Sequence, residues 1–147
     1  MFWLRAFAVW VVIIVVESIH GTLRTLFLAP YVGDFRARQI AVFIASLLIL
    51  FVAWLCVRWL VGPQVGPLVS SMRPVSQVSL LRAGLLWLAL TLAFEFGAGH
   101  YAFGRSWHDL ASDYDLAHGG LLPIGMVVLV LAPLIAARLR RIPLRWQ

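Results

Sequence analysis

Lysine is missing from the chain altogether, cysteine occurs once, and Asp and Glu together supply only 6 of 147 residues. With Cys56 as the sole thiol there is no intrachain disulfide, and no C-x-x-C-H haem-attachment sequence occurs. Cys56 lies within an apolar block, where a small inert side chain is the expectation. G-x-S-x-G, H-E-x-x-H and a phosphate-binding glycine loop are absent too, so serine hydrolase, zincin and nucleotide-driven mechanisms find no support. The start, Met1 to Arg5 followed by an apolar run, superficially resembles a signal peptide. No A-x-A-like cleavage sequence follows it and three further apolar runs do, so it reads as a retained first helix.

What is abundant is apolar side chain. Hydrophobic residues make up 63% of the chain and charged ones 12%, with a mean hydropathy of +0.94. That is more apolar surface than one soluble core of this length can hide, which points to a bilayer as solvent. The apolar residues fall into four blocks, leaving no room for a separate soluble module. The expected fold is therefore all-α, an integral membrane four-helix bundle occupying 1–147 as one transmembrane domain.

All 12 basic residues are arginine, and the formal net charge is +6. In a soluble protein such an excess would suggest nucleic acid, but no basic face with interleaved aromatics is present. The arginines stand instead at the edges of the apolar blocks, where their side chains reach lipid phosphates. The expected partner is the lipid bilayer, with no nucleic acid.

Crossing a hydrocarbon core of about 30 Å takes about 20 helical residues. Between Arg38 and Arg58 lie 19 residues free of charge, and between Asp115 and Arg138 lie 22, so two spans fit easily. Only 11 residues separate Arg5 from Glu17, and 12 separate Arg82 from Glu95. A helix stopping at either glutamate would fall about 10 Å short. Running each helix on to Arg24 and Arg105 repairs the deficit and places both glutamates inside the membrane. The rival repair, short helices ending in interfacial turns, suits the third block better, because Gly97 and Gly99 follow its glutamate. The spans then cover about 4–27, 39–60, 82–104 and 117–138, with a Pro/Gly-rich linker over 62–79. Pro123 and Pro133 are expected to kink or loosen the fourth helix.

Each half of the chain repeats one order: Arg, short apolar run, Glu, Gly-containing polar turn, Arg, Asp-bearing loop, clean apolar span. Two tandem two-helix units would produce it, although chance patterning would too. One side of the membrane collects eight arginines (Arg5, Arg58, Arg73, Arg82, Arg138, Arg140, Arg141, Arg145), while the other has four and all six acids. By the positive-inside tendency both termini are cytoplasmic, as in a bacterial inner membrane, and the acidic side faces outward.

Glu17, His20 and Arg24 form one stripe on a helix, His20 about 60° and Arg24 about 20° from Glu17. An ionised glutamate facing lipid is costly, so the stripe is expected to face the bundle, a wet cavity or another subunit. With Glu95, His100 and Arg105 it makes a candidate ligand-binding set. One reading makes the stripe an ion network that only fixes register; the other makes it a site for an ion, a proton or a lipid headgroup. A metal is the further alternative. Glu17-x-x-His20 is the pair used in di-iron bundles, but Glu95 and His100 stand five apart, about 140° around a helix, and supply no second copy. His108, Asp109, Asp113, Asp115 and His118 add imidazoles and carboxylates suited to Zn, Mn or Fe. Against that stands a solvated loop with Asp115 near the N-cap of the fourth helix. Haem, held by His20, His100 or His118, is the lesser cofactor candidate.

These residues point first to a non-enzymatic, transport-like or accessory membrane protein with an outward polar pocket, self-associating or docked on a larger complex. The competing class is a metal-dependent membrane enzyme using Glu17, His20, Glu95, His100, His108, Asp109 and His118. A structural scaffold subunit is the third.

Overall fold

The computed structural model describes residues 1–62, 74–102, 104 and 106–146. Arg105, the side chain of Asp109 and residues 63–73 of the linker lie outside the described residues.

Helix α1 (Phe2–Leu23) runs through Glu17 without a break and widens into a π-helical turn, Arg24–Leu28, before a last short piece, α2 (Ala29–Val32). Pro30 explains the widening. Its ring has no N–H to give to the carbonyl four residues back, and the Ala29 N–H bonds instead to Arg24 O, five residues earlier. Gly33, at φ 83°, then reverses the chain, a conformation that costs glycine nothing. Helix α3 (Asp34–Val61) starts at once, with Asp34 at the positive end of its dipole, and stops at Gly62, φ 79°.

The two-residue strand β1 (Val75–Ser76) leads into α4 (Gln77–Gly97), whose first turn is capped by Ser76 Oγ accepting from Ser79 N at 3.2 Å. Like α1, α4 passes through its glutamate and ends in a π-helical turn, Ala98–Ala102. A short helix α5 (Trp107–Ser112) and a 3₁₀ turn (Leu116–His118) precede α6 (Leu122–Leu139). β2 (Leu144–Arg145) returns to pair in parallel with β1. Pro123 occupies the first turn of α6, where no amide donor is needed, so it begins the helix rather than kinking it. Pro133 is inside α6, which nonetheless continues to Leu139.

Four helical stretches, Phe2–Val32, Asp34–Val61, Gln77–Tyr101 and Leu122–Leu139, are long and apolar enough to cross a membrane. The chain is an all-α four-helix membrane bundle. Helix α3 packs along α6, α1 lies against α3, α4 lies against α6, and α1 touches α4. Where the halves meet, partners are about 80 positions apart: Trp87 Nε1 donates to Ala6 O (2.8 Å), Trp10 Nε1 to Thr91 Oγ1 (3.1 Å) and Gln39 Nε2 to Gly119 O (3.1 Å).

The core is built mostly of small and branched residues, such as Ala6, Ala53, Ala83, Ala132, Val57 and Leu80, around the fully buried Trp87. Small side chains let backbones approach, which is how helices gain van der Waals contact where lipid tails remove the hydrophobic drive. The outward faces, with Leu4, Leu26, Phe27, Leu47 and Val127 exposed, are as apolar as the interior and suit acyl chains.

α6 ends with Ile142 N bonded to Ala137 O (2.9 Å) and Arg141 at φ 55°. This left-handed terminus is the one glycine usually fills. An arginine there is strained by about 1 kcal/mol, so Arg141→Gly is expected to stabilise the protein by roughly that amount. Denaturant unfolding in detergent measures it, and a loss of stability would mean that the arginine side chain contributes more than its backbone costs.

Candidate functional site

The acidic end of the bundle carries three groups of polar side chains. In the first, His20 Nδ1 and Glu17 Oε2 are 3.2 Å apart, one helical turn from each other on α1. Both side chains are largely shielded, 14% and 22% exposed. Glu17 Oε1 is shielded from solvent with no hydrogen-bond partner among the described residues, and so is Arg24 Nε. Among the described residues Arg24 reaches only its neighbour, with Nη2 donating to Thr25 Oγ1 at 3.4 Å. Thr22 and Thr25 turn their hydroxyls back onto the carbonyls of Ser18 and Gly21, so they make no bid for the carboxylate. The Glu17–His20 pair thus follows from the i, i+3 spacing, while Arg24 stands at the start of the π-helical turn and does not close on it.

The second group surrounds Glu95 on α4. Glu95, Phe96, Leu110, Asp113, Tyr114 and Leu122 wall a crevice too narrow to hold a water molecule. The Tyr114 phenol is pushed up to about 12 by burial, with the nearby charges of Glu95 and Asp113 adding to it. Its hydroxyl is shielded and has no hydrogen-bond partner among the described residues. α1 and α4 run parallel, Trp87 meeting Ala6 and Trp10 meeting Thr91, which brings Glu95 to the same end of the bundle as Glu17.

Rings tie this group to the loop. Phe96 stacks on Tyr114 and on Trp107, Trp107 stacks on His100 (centroids 4.1 Å apart, 24° between planes), and Tyr101 meets His100 edge-on at 5.0 Å. His100 is therefore held as an aromatic surface. Such stacks are worth about 1 kcal/mol each beyond their area.

The third group is the loop and the start of α3. Arg38 bridges Asp34 Oδ2 and Asp113 Oδ1, both at 2.6 Å, and pins the loop to the helix. The Asp34–Arg38 half is an i, i+4 pair readable from spacing. The Asp113 half joins residues 75 positions apart, and nothing local announces it. Asp115 binds His118 (2.6 Å) and caps the 3₁₀ turn, accepting from Ala117 N and His118 N. It does not cap α6: that helix begins seven residues later, behind Leu121, with no side-chain cap. The bond from His118 holds the Asp115 carboxyl below the usual range, with the backbone N–H groups helping. His118 and His108 are exposed.

Among the described residues no three His, Cys, Asp or Glu side chains come close enough to hold a metal ion. Chemically, the arrangement offers one imidazole–carboxylate pair within a spanning helix, a packed aromatic and acidic crevice beside it, and an arginine latch over the loop. Compared with protein-family models, curated proteins and solved structures, the chain matches none.

Tyr114 carries a prediction of its own. A buried hydroxyl without a partner weakens a fold, so Tyr114→Phe is expected to leave stability unchanged or raise it by up to about 1 kcal/mol near neutral pH. In alkali the unfolded chain ionises this phenol near pH 10 and the folded one only at about 12. Stability therefore falls as pH rises across that interval, and the Phe variant should lose less of it. Phenolate absorbance and melting temperature, followed together against pH, check both statements.

Proposed function

We propose that the chain is a transport-like or accessory subunit of a membrane complex, whose Glu17–His20 pair takes up and releases a proton or small ion from the outward side. The observation that carries this reading is the carboxylate inside a spanning helix, with one oxygen on an imidazole and the other shielded and without a partner among the described residues. Ionisable groups at that depth are costly to keep, and they mark pathways and sites more often than surface charges do. An imidazole in hydrogen-bond contact with a carboxylate has a short route for proton exchange. Support also comes from a π-helical turn. The helix bearing Glu95 runs into one, Ala98–Ala102, shortly after its acid with no proline to cause it, and such turns gather where helices serve a function.

In this reading Glu17 and Glu95 titrate, His20 shares the proton, and Arg24 and Arg105 attract the accompanying anion or a lipid phosphate. Both termini face the cytoplasm of a bacterium, because eight arginines lie on their side and four on the other. Four helices make a thin wall around any pathway, so a second copy or a larger complex completes it.

The test is proton flux into vesicles holding a pH-sensitive dye, under an imposed pH gradient. Wild-type protein should speed dissipation, and Glu17→Gln, inserted at the same folded yield, should return it to the rate of empty vesicles. Equal rates for the two proteins defeat the reading. So does loss of the variant from the membrane, which makes Glu17 structural. Elemental analysis of protein purified without added metal covers the enzyme alternative: a stoichiometric transition metal that disappears in His20→Ala would replace the proton reading with a metal-dependent one.

A further inference from the structure

At the opposite, arginine-rich end, α6 hands its first residue beyond the helix to α3. The Arg140 guanidinium lies over the Trp54 ring, 3.7 Å from its centroid, and its Nε donates to Trp54 O at 3.0 Å. That contact uses one edge of the guanidinium, and both Nη groups are without a hydrogen-bond partner among the described residues. Arg58, one turn further along the same face of α3, is exposed and makes no hydrogen bond or ion pair among them either.

Two arginines thus stand at one end of the α3–α6 seam, Arg140 on Trp54 and Arg58 one helical turn beyond Trp54, and no Asp or Glu occurs between Asp34 and Glu95 or after Asp115 to neutralise them. The spot lies where a spanning helix ends: Arg140 is the first residue beyond α6, whose 18 residues are about 27 Å long, close to the thickness of a hydrocarbon core. A cation at that level on a lipid-facing surface meets headgroup phosphates.

Below the guanidiniums the surface changes character. Leu47, Phe51 and Leu55 are 68%, 56% and 50% exposed, and with Trp54 and Arg58 they form one continuous stripe at helical spacing. Phe51 stacks parallel to Trp54, with ring centroids 6.3 Å apart, extending the apolar shelf away from the charge. A charged notch over an apolar stripe parallel to the helix axis has the shape and polarity of one phospholipid.

We propose that the α3–α6 seam binds a single anionic phospholipid, its phosphate between Arg140 and Arg58 and an acyl chain along Trp54, Phe51 and Leu47. Guanidinium forks fit phosphate oxygens, and basic notches between spanning helices recognise anionic headgroups. The rings hold Arg140 in place before the lipid arrives, so little side-chain freedom is lost on binding. This site is independent of the Glu17–His20 reading and lies at the other end of the bundle.

The experiment is native mass spectrometry of the full chain released from nanodiscs of phosphatidylcholine with a minority of phosphatidylglycerol. One phosphatidylglycerol should be retained about tenfold above its bulk share, as a single charge-assisted contact allows. Arg140→Gln and Arg58→Gln should each remove that preference. Arg145→Gln on β2, which deletes the same charge from the same end, should keep it. Circular dichroism of each variant reports folding, and Trp54→Leu, which takes away the shelf and no charge, should also weaken retention. Equal retention of the two lipids by wild-type protein overturns the proposal. Equal loss in all three arginine variants overturns it too, because net charge alone would then suffice. Displacement of the lipid by inorganic phosphate would assign the notch to free anions and dismiss the acyl-chain contact.

Discussion

Gly84→Ala is expected to cost about 3 kcal/mol or more and to leave little folded protein in mild detergent. A Cβ at this position would sit 2.7 Å from Val130 C, 2.9 Å from Val130 Cα and closer still to the carbonyl oxygen. These are main-chain atoms in the middle of α6, so no rotamer change relieves the clash, and α4 and α6 must separate along their shared face. Trimming the Val130 side chain leaves the clashing atoms where they are, and the double variant Gly84→Ala with Val130→Ala should remain as unstable as the single one. Gly97→Ala is the control. Nothing lies within 4 Å of its added carbon, and in a helix alanine is favoured over glycine by about 1 kcal/mol. The same chemical change should therefore destabilise at one position and stabilise at the other. Denaturation midpoints read by far-UV circular dichroism decide it, and equal midpoints for the two variants would mean that α4 and α6 are not in backbone contact.

Gly84 also marks the limit of what spacing can convey. The four spans were legible because charges in a bilayer are expensive, so the windows between Arg38 and Arg58 and between Asp115 and Arg138 stand out in the chain. Charge-free windows show where a span fits, though, and not where a helix starts. α3 takes in the polar turn from Asp34, and α6 waits until Leu122, because Gly119 at φ 87° and the Asp115 turn occupy the uncharged residues before it. At the candidate site the local part was legible: Glu17 and His20 meet through a three-residue spacing, and so do Asp115 and His118. Contacts reaching across the fold were not. Asp113 counts as one more loop acid until Arg38 is brought to it, and His100 looks like a ligand until Trp107 covers its face. Both depend on how α4 and the loop fall back on α3, which hydropathy does not encode.

Trp87→Ala is the second substitution with a large expected effect, and its consequences should reach the candidate site. Trp87 is fully buried between the two halves and donates to Ala6 O. Emptying a buried tryptophan costs about 3–5 kcal/mol through lost contacts and the void left behind. The loss falls unevenly. The buried residues of α1 are Ala6, Val9 and Ile13, and from Ile14 through the π-helical turn, the stretch bearing Glu17, His20 and Arg24, there is none. The polar end of α1 rests on α3 through the π-helical turn and α2 without burying a residue, so it is held less firmly than the first part, which Trp87 and the Trp10–Thr91 bond grip on α4. In Trp87→Ala the second half of α1 should loosen first, seen as faster amide exchange from Val15 to Leu28 than in α3 or α6. Trp87→Phe keeps most of the volume and drops only the hydrogen bond to a carbonyl already used within α1, so it should cost about 1 kcal/mol plus a little area and leave that exchange near wild type. Uniform exchange along α1 in the Ala variant would contradict this difference and give the polar half an anchor of its own. A differential loss would place the Glu17–His20 pair on a helix end that is free to move while the rest of the bundle stays packed, the property a proton-exchanging site in a membrane needs if it is to face water in one position and protein in another.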